Sequence, residues 1–209
     1  SLTLADLNSD GILDLAVADL VGGLSVLLGK GDGTFQSAVS YAAGSWPDFV
    51  AAADLNGDGK LDLVATDLST GTNVMVLLGN GDGTFKTAVG YQAGQLPRSI
   101  AIDDFNGDHI LDLAIANSGE STVSVLTGNG DGTFKPATTF SVADLSWQIS
   151  TADFDGDGNL DLATANEGNG FGSTVSILRG NGHGQFSAAT NYVTGLTPET
   201  VLVGDFDSN

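Results

Sequence analysis

The stretch that decides the fold is the decapeptide DLNGDGKLDL at residues 54–63. Acidic or amide side chains occupy its first, third, fifth and ninth positions, and glycine occupies the sixth. The same pattern begins at Asp6, Asp104 and Asp153, and a further copy begins at Asp205. Successive copies start 48, 50, 49 and 52 residues apart. So constant a period indicates a chain built from structural repeats.

A second motif recurs in phase with the first. It reads GKGDGTF at 29–35, GNGDGTF at 79–85 and 128–134, and GNGHGQF at 180–186. Its paired glycines supply the positive φ values that a tight hairpin needs. We therefore interpret Asp32, Asp82 and Asp131 as turn residues, with metal ligation as the less favoured alternative.

The hydrophobic pattern within one repeat has a period of two, which is typical of strands. In the second copy it predicts strands at Asp48–Ala53, Leu61–Asp67, Asn73–Leu78 and Thr84–Tyr91. No window shows the apolar spacing of a helix, so we expect essentially none. A four-stranded unit of about 50 residues cannot bury both of its faces alone. The sequence therefore predicts an all-β propeller of four-stranded antiparallel blades, with about four blades present.

We expect a single repeat domain over residues 1–209. The predicted blades start near residues 1, 48, 98 and 147, and a fifth begins near 199. Predicted first strands lie at both ends, at Ser1–Ala5 and Thr200–Gly204, and a closed four-bladed ring has no place for the second of them. We therefore expect an open arc that belongs to a larger ring, with association through its exposed blade faces.

The acidic loops predict calcium sites. Calcium takes six to eight hard oxygen ligands, and carboxylates spaced two residues apart on a tight loop converge on one point. The four loops hold 13 of the 26 acids, a concentration of charge that would repel itself without a cation. With the peptide carbonyl of the seventh position included, the predicted ligands are Asp6, Asn8, Asp10, Ile12, Asp14, Asp54, Asn56, Asp58, Lys60, Asp62, Asp104, Asn106, Asp108, Ile110, Asp112, Asp153, Asp155, Asp157, Asn159 and Asp161.

An EF-hand is the main alternative interpretation of these loops, and the fifth copy of the loop is incomplete. An EF-hand begins in the same way but needs an acidic ligand at its twelfth position and a following helix. The twelfth positions here are apolar or Thr and lie in predicted strands, so an EF-hand is rejected: Val17, Ala65, Ile115 and Thr164. The fifth copy, with Asp205, Asp207 and Asn209, stops before its ninth position, which leaves its occupation open.

The loops resemble the FG-GAP or VCBS type of calcium-binding repeat, found in the integrin α-subunit head and in many bacterial secreted proteins. The family pattern, Asp-x-(Asp/Asn)-x-Asp-Gly-x-x-Asp-Leu, matches residues 54–63 throughout, and the resemblance covers the whole chain. The third copy departs at His109, where the family has glycine. The resemblance implies a propeller, usually of seven blades, with calcium in the loop between the first and second strands. It also implies an extracellular or cell-surface protein.

The amino-acid composition argues against two classes of binding partner. Six Lys and Arg residues against 26 acids give a net charge of −20, which leaves no basic patch for nucleic acid or an anionic membrane surface. No apolar stretch reaches the 18 residues that suggest a membrane-spanning helix. The absence of cysteine removes disulfides and thiolate chemistry.

Three classes of function remain. We favour a calcium-stabilised binding or adhesion module for a protein or carbohydrate ligand. The alternative is a structural segment of a large surface protein or extracellular filament. An enzyme, or part of a polysaccharide-active enzyme, is least favoured because no Ser/His/Asp or Cys/His set stands out.

We expect ligand contacts at the end of the blades opposite the calcium loops. The turns after each second strand and the connections between blades share that end in an up-and-down blade. The repeats also vary in length there. Loops on a rigid scaffold often carry binding residues, although core packing is the alternative role for the two tryptophans. The candidate contact residues are Trp46, Arg98, Trp147 and Phe171.

Overall fold

Four separate antiparallel sheets make up the computed structural model, which describes residues 1–69, 73–168 and 173–204. The first blade contains Leu2–Ala5 (β1), Asp14–Asp19 (β2), Gly23–Leu27 (β3) and Val39–Tyr41 (β4). The second contains Pro47–Ala53 (β5), Asp62–Asp67 (β6), Asn73–Leu77 (β7) and Val89–Gln92 (β8). The third contains Pro97–Asp103 (β9), Asp112–Asn117 (β10), Thr122–Leu126 (β11) and Thr138–Ser141 (β12). The fourth contains Ser146–Ala152 (β13), Asp161–Asn166 (β14), Thr174–Leu178 (β15) and Thr190–Val193 (β16).

In each blade the strands pair in chain order, so every sheet is an up-and-down meander. This confirms the predicted all-β fold of four-stranded, propeller-type blades. No helix occurs among the described residues, and hence none that could cross a lipid bilayer.

Burial along the second strands shows how the blades stack. All six residues of β6 and β10 are buried, because each of these strands lies in the middle of a sheet with a blade packed on both faces. In β2, buried and half-buried residues alternate, because within the described residues only one face of the first blade is covered. All six residues of β14 are also buried, although within the described residues a blade packs on only one face of its sheet. Three apolar cores therefore lie between successive blades.

The first strands β1, β5, β9 and β13 contact one another in that order, which places them along the inner side of the arc. The described residues form no closed ring, in agreement with the predicted open arc of blades. The predicted first strand at Thr200–Gly204 is wrong as a strand, because the described residues 200–204 have no ladder partner. They still run beside β13, since Val201 N donates to Gln148 Oε1 at 2.7 Å and Ser150 Oγ donates to Val201 O at 2.9 Å.

The fourth strand is shorter than predicted. We expected Thr84–Tyr91 to be continuous, but β8 begins at Val89 and only an isolated bridge joins Gly79 to Phe85. The Phe85 ring packs across the blade interface against Tyr41. The ladder is thus interrupted where the chain supplies a residue to the neighbouring blade.

Candidate metal centres and the opposite end of the blades

The acidic loops lie where the repeat predicts them, between the first and second strands of each blade: 6–13, 54–61, 104–111 and 153–160. The loops are largely exposed, whereas the aspartate that follows each loop is fully buried. The four loops share the side chain to backbone hydrogen bonds of their first, fifth and ninth positions.

The first aspartate curls its loop by accepting two backbone N–H groups. Asp54 Oδ1 accepts from Asp58 N at 3.1 Å, and Asp54 Oδ2 accepts from Gly59 N at 2.8 Å. The corresponding bonds form at Asp6, Asp104 and Asp153. The N–H of Gly158 is the main cause that holds the pKa of the Asp153 carboxyl below its usual value. The loop backbone therefore favours the charged carboxylate, which is the form that ligates a cation.

The third and fifth positions continue this pattern. Asn56 Oδ1 accepts from Asp58 N at 2.9 Å, and Asp58 Oδ1 accepts from Lys60 N at 3.0 Å. In each loop the carboxylate at the fifth position takes the N–H of the seventh residue, whose carbonyl is the predicted backbone ligand: Ile12, Lys60, Ile110 and Asn159. The seventh peptide is thereby fixed in orientation.

The fourth loop brings three carboxylates together. Oxygen atoms of Asp153, Asp155 and Asp161 lie within 4.8 Å of one another. The third position is Asp only in this loop and Asn in the other three, so each of the others has one carboxylate fewer. Arg179 Nη1 lies 3.4 Å from Asp155 Oδ2 at its edge. Converging carboxylates are hard oxygen donors, which suit calcium or magnesium rather than a soft metal.

The ninth aspartate has a second role that sequence reasoning missed. Asp62 Oδ1 accepts from Gly79 N at 2.7 Å, and Asp62 Oδ2 accepts from Leu55 N at 3.0 Å. Both oxygens of Asp14, Asp112 and Asp161 accept the equivalent pair of N–H groups. Each ninth aspartate therefore ties its acidic loop to the glycine hairpin of the same blade. The signal was present in the sequence, because the two motifs recur in phase.

Burial raises the pKa of Asp62 and Asp112 above 3.8, and the neighbouring loop carboxylates raise it further. A protonated carboxyl cannot ligate calcium. We therefore expect calcium affinity to fall, and proton release on binding to grow, as the pH is lowered toward these raised pKa values. In the metal-free protein these two groups have the opposite effect: the native state holds the extra protons, so their contribution to stability increases as the pH falls. Calorimetric calcium titrations in buffers of different ionisation enthalpy measure both quantities, and an affinity independent of pH down to 3.8 would contradict the expectation.

His109 occupies the sixth position of the third loop with φ of 65°. The equivalent Gly59 has φ of 79°, so the histidine adopts the left-handed conformation that the turn requires. Its Nδ1 lies 3.8 Å from Asp104 Oδ2, and its side chain is almost fully exposed. The substitution therefore keeps the loop path and adds an imidazole beside a predicted ligand.

These loops fit a calcium ion by their donors. In each loop the side-chain oxygens at positions one, three, five and nine are carboxylate or amide oxygens. When bound, calcium would supply charge neutralisation and a bridge between loop and blade. The residues that would hold it are the twenty predicted above, while the fifth copy, with Asp205, Asp207 and Asn209, lies outside the described residues.

The opposite end of the blades holds a row of three side chains. Arg98 Nη1 lies 3.3 Å from Asp48 Oδ2, and the Arg98 guanidinium lies 4.2 Å from the centre of the Trp147 ring. Arg98 and Trp147 are each the extra residue where the strand register shifts at a β-bulge. Bulges re-aim side chains, and here they bring residues of three blades into one row. The sequence had pointed to Arg98 and Trp147 but not to Asp48.

The other candidate contact residues are placed differently. Trp46 is 57% exposed in the connection between the first and second blades. Trp147 is half-buried, and Arg98 covers one face of its ring. Phe171 lies outside the described residues.

A polar residue ends each second strand, and in the second blade it holds the connection from the first blade, another feature that sequence reasoning missed. Asp67 Oδ1 accepts from Ser45 N at 3.2 Å and from Trp46 N at 3.1 Å. The equivalent residues of the other blades are also Asp or Asn: Asp19, Asn117 and Asn166. This recurrence at one position was the available signal.

The repeat family is now decided by comparison with family models. The FG-GAP-like repeat matches four times, at residues 6–65, 54–115, 104–164 and 153–209. The chain belongs to the FG-GAP-like repeat family. Each match starts at the first aspartate of an acidic loop, so the motif that defines the family here is the candidate metal loop. A comparison with curated proteins gave no match.

Solved structures support the same fold. The crystal structure of BBS1N in complex with ARL6DN, soaked with lead, matches with a TM-score of 0.65 at 12% identity, over 94% of this chain and 57% of that one. The V. cholerae biofilm matrix protein Bap1 matches with a TM-score of 0.50 at 20% identity, over 95% of this chain and 40% of that one. The chain thus spans well under two thirds of the solved chains it resembles. At these identities the likeness shows the fold alone.

Proposed function

We propose that the chain is a calcium-stabilised, extracellular propeller segment that acts as a binding or adhesion module for a protein or carbohydrate ligand. The observation that carries the proposal is the separation of two kinds of chemistry at opposite ends of the blades. One end repeats the same hydrogen-bonded acidic loop four times. The other carries the row of Asp48, Arg98 and Trp147, which joins three blades and occurs once in the part of the chain that the structure describes. A repeated device suits stability, whereas a unique one suits recognition.

The chemistry of the row favours a polar ligand with an apolar or planar surface. Arginine offers several N–H donors in a fixed plane, and tryptophan offers ring surface. Trp147 Nε1 is buried and has no hydrogen-bond partner within the described residues, so the donors at the surface of the row are those of Arg98. Sugars and protein side chains both present hydroxyl or carbonyl groups to such donors.

Calcium sites of extracellular modules bind in the range of about 10⁻⁴ to 10⁻³ M, which external calcium fills. This supports the extracellular or cell-surface location in the proposal. The net charge of −20 supports a partner other than nucleic acid or an anionic membrane. We assign no catalytic role, since both histidines lie exposed in loops at the calcium end. A structural segment of a surface protein or extracellular filament is the second candidate, favoured by the repetition of one blade design along the chain.

The test is a screen of glycans and proteins with calcium and with chelator, followed by two variants. Removing Arg98 takes away the central side chain of the row, so Arg98→Ala should weaken binding about tenfold or more, the usual effect of losing a charge-assisted contact. Arg179→Ala removes an arginine at the calcium end and should leave ligand affinity unchanged. Hydrogen exchange with bound ligand should protect the strand starts at Asp48, Arg98 and Trp147. Protection confined to the acidic loops, or equal loss in both variants, would reject the row as the binding surface.

A further inference from the structure

The acidic loops of the second and third blades are each anchored in two blade interfaces. We call the second and eighth residues of a loop its anchors. In the second loop, Leu55 is buried in the core shared with the third blade, whereas Leu61 packs on the core shared with the first blade. Phe105 and Leu111 of the third loop divide in the same way between the third core and the second. Each of these loops therefore reaches from one interface to the next.

Each apolar core consequently holds one anchor from the loop before it and one from the loop after it. The second residue is the deeper anchor, 2 to 3% exposed in the first three loops, and it lies between the first and third predicted ligands. Because close-packed cores transmit displacements, a loop whose ligands are rearranged disturbs the core that also holds its neighbour. The anchors in the three cores are, in chain order, Leu7 and Leu61, Leu55 and Leu111, and Phe105 and Leu160.

Hydrogen bonds make a second link between neighbouring loops. Gly83 N donates to Leu7 O at 3.2 Å, so the glycine hairpin of the second blade is bonded to the first acidic loop. The same hairpin is bonded to its own loop, since Gly79 N donates to Asp62 Oδ1 at 2.7 Å. A bonded path therefore runs from one acidic loop to the ninth predicted ligand of the next. The third interface repeats it with Gly184 N on Phe105 O at 2.9 Å and Gly180 N on Asp161 Oδ1 at 2.8 Å.

We propose that the acidic loops of neighbouring blades bind calcium with positive cooperativity. In a loop with calcium bound, the ligands on both sides of the deeper anchor are fixed. The fixed anchor and the bonded hairpin then restrain the neighbouring loop, so less ordering remains when that loop binds its own ion. Coupling between two binding sites is reciprocal, so the second and third loops raise each other's affinity by the same factor. The proposal rests on the calcium binding proposed above and adds how the sites are connected.

Charge alone predicts coupling of the opposite sign. A calcium ion in one loop repels a calcium ion approaching the next, so loops connected only through their charges would bind more weakly when a neighbour is filled. Moderate salt screens this repulsion between exposed sites. A filled neighbour that raises the affinity therefore identifies coupling through the shared cores and hairpins.

A calcium titration of the 209-residue chain, followed by amide NMR signals, measures each loop in the same sample. Asp108→Ala removes a ligand from the third loop, where the exposed carboxylate accepts the N–H of Ile110. The second and fourth loops should then need about fivefold more calcium, a typical size for coupling between sites. The first loop should shift less, because it shares no core with the third. The reporters are the N–H groups at the sixth position, which donate to the first aspartate of each loop: Gly11, Gly59, His109 and Gly158.

Three further variants make the result specific. Asp131→Ala is the matched control, because it removes an exposed carboxylate from the same blade that bonds to Thr133 and is not a predicted ligand. In moderate salt it should shift the neighbouring loops by less than about twofold. Leu111→Ala keeps every ligand but trims an anchor in the second core, so in this background Asp108→Ala should shift the fourth loop and no longer the second. By reciprocity, Asp58→Ala should shift the third loop by the factor that Asp108→Ala shifts the second.

Four outcomes would overturn the proposal. Unchanged second and fourth loops in the Asp108→Ala variant would show that the loops bind independently, and tighter binding there would show that charge repulsion decides. Equal shifts of all three remaining loops would show a general loss of stability. These three results leave the proposed calcium binding intact, whereas no response to calcium at any loop would overturn that binding together with its coupling.

Discussion

Removing calcium is expected to lower the melting temperature of this protein more than any single substitution. A ligand that binds only the native state adds about 2.7 kcal/mol at a hundredfold excess over its Kd, so four loops would add roughly 11 kcal/mol. That sum is comparable with the whole stability of a typical domain, about 5 to 15 kcal/mol. The cause is electrostatic as well, because 13 of the 26 acids lie in the four loops and repel one another without a cation.

Calorimetric melting in metal-free buffer, in calcium and in excess EGTA measures the effect. The first control is a sodium salt at the same ionic strength as the calcium sample, because sodium screens the charges of the loops without binding in them. Magnesium is the second, since its smaller octahedral shell fits a flexible multi-carboxylate loop less well. A melting temperature unchanged by EGTA would show that the loops are ordinary solvated turns.

Much of the fold could be predicted because the same two motifs recur in four copies of the repeat. Two motifs in phase, with alternation between them, indicate a four-stranded meander, and a blade that buries both faces needs a neighbour on each side. The strand limits were less predictable. Thr84 to Ala88 looks extended, yet it leaves the ladder because Phe85 is used at the interface with the preceding blade. The local sequence pattern gives no sign of this contact between blades.

The candidate sites also have parts that the sequence predicts and parts that it does not. The ligand positions of the acidic loops follow from residue type and spacing, which are local. The buried bonds of Asp62 to Gly79 N and Leu55 N join segments up to 17 residues apart, so the loop alone could not reveal them. The contact of Asp48 with Arg98 joins residues 50 positions apart in different blades. It depends on β-bulges that the sequence pattern does not predict.

Asp62→Ala is expected to destabilise the second blade by about 3 kcal/mol or more, even without calcium. The Asp62 carboxylate is fully buried, and its loss leaves two buried N–H groups unpaired, each costing about 1 to 3 kcal/mol. Asp82→Ala removes an exposed carboxylate that bonds only to Thr84, so it should cost under about 1 kcal/mol. Denaturant unfolding with and without calcium, followed by tryptophan fluorescence, measures both.

A third variant separates the two roles of the ninth aspartate. Asp58 is exposed and its carboxylate accepts only the N–H of Lys60, so Asp58→Ala should weaken calcium binding but change metal-free stability little. Asp58 and Asp62 are both predicted ligands, and the buried bonds of Asp62 are the reason to expect that their substitutions differ. Asp62→Asn should lie between the two, because an amide oxygen keeps one acceptor while the charge is lost. Equal metal-free stability of the Asp58→Ala and Asp62→Ala variants would show that Asp62 acts only as a ligand, and equal calcium affinity of the Asp62→Ala and Asp82→Ala variants would show that it is no ligand at all.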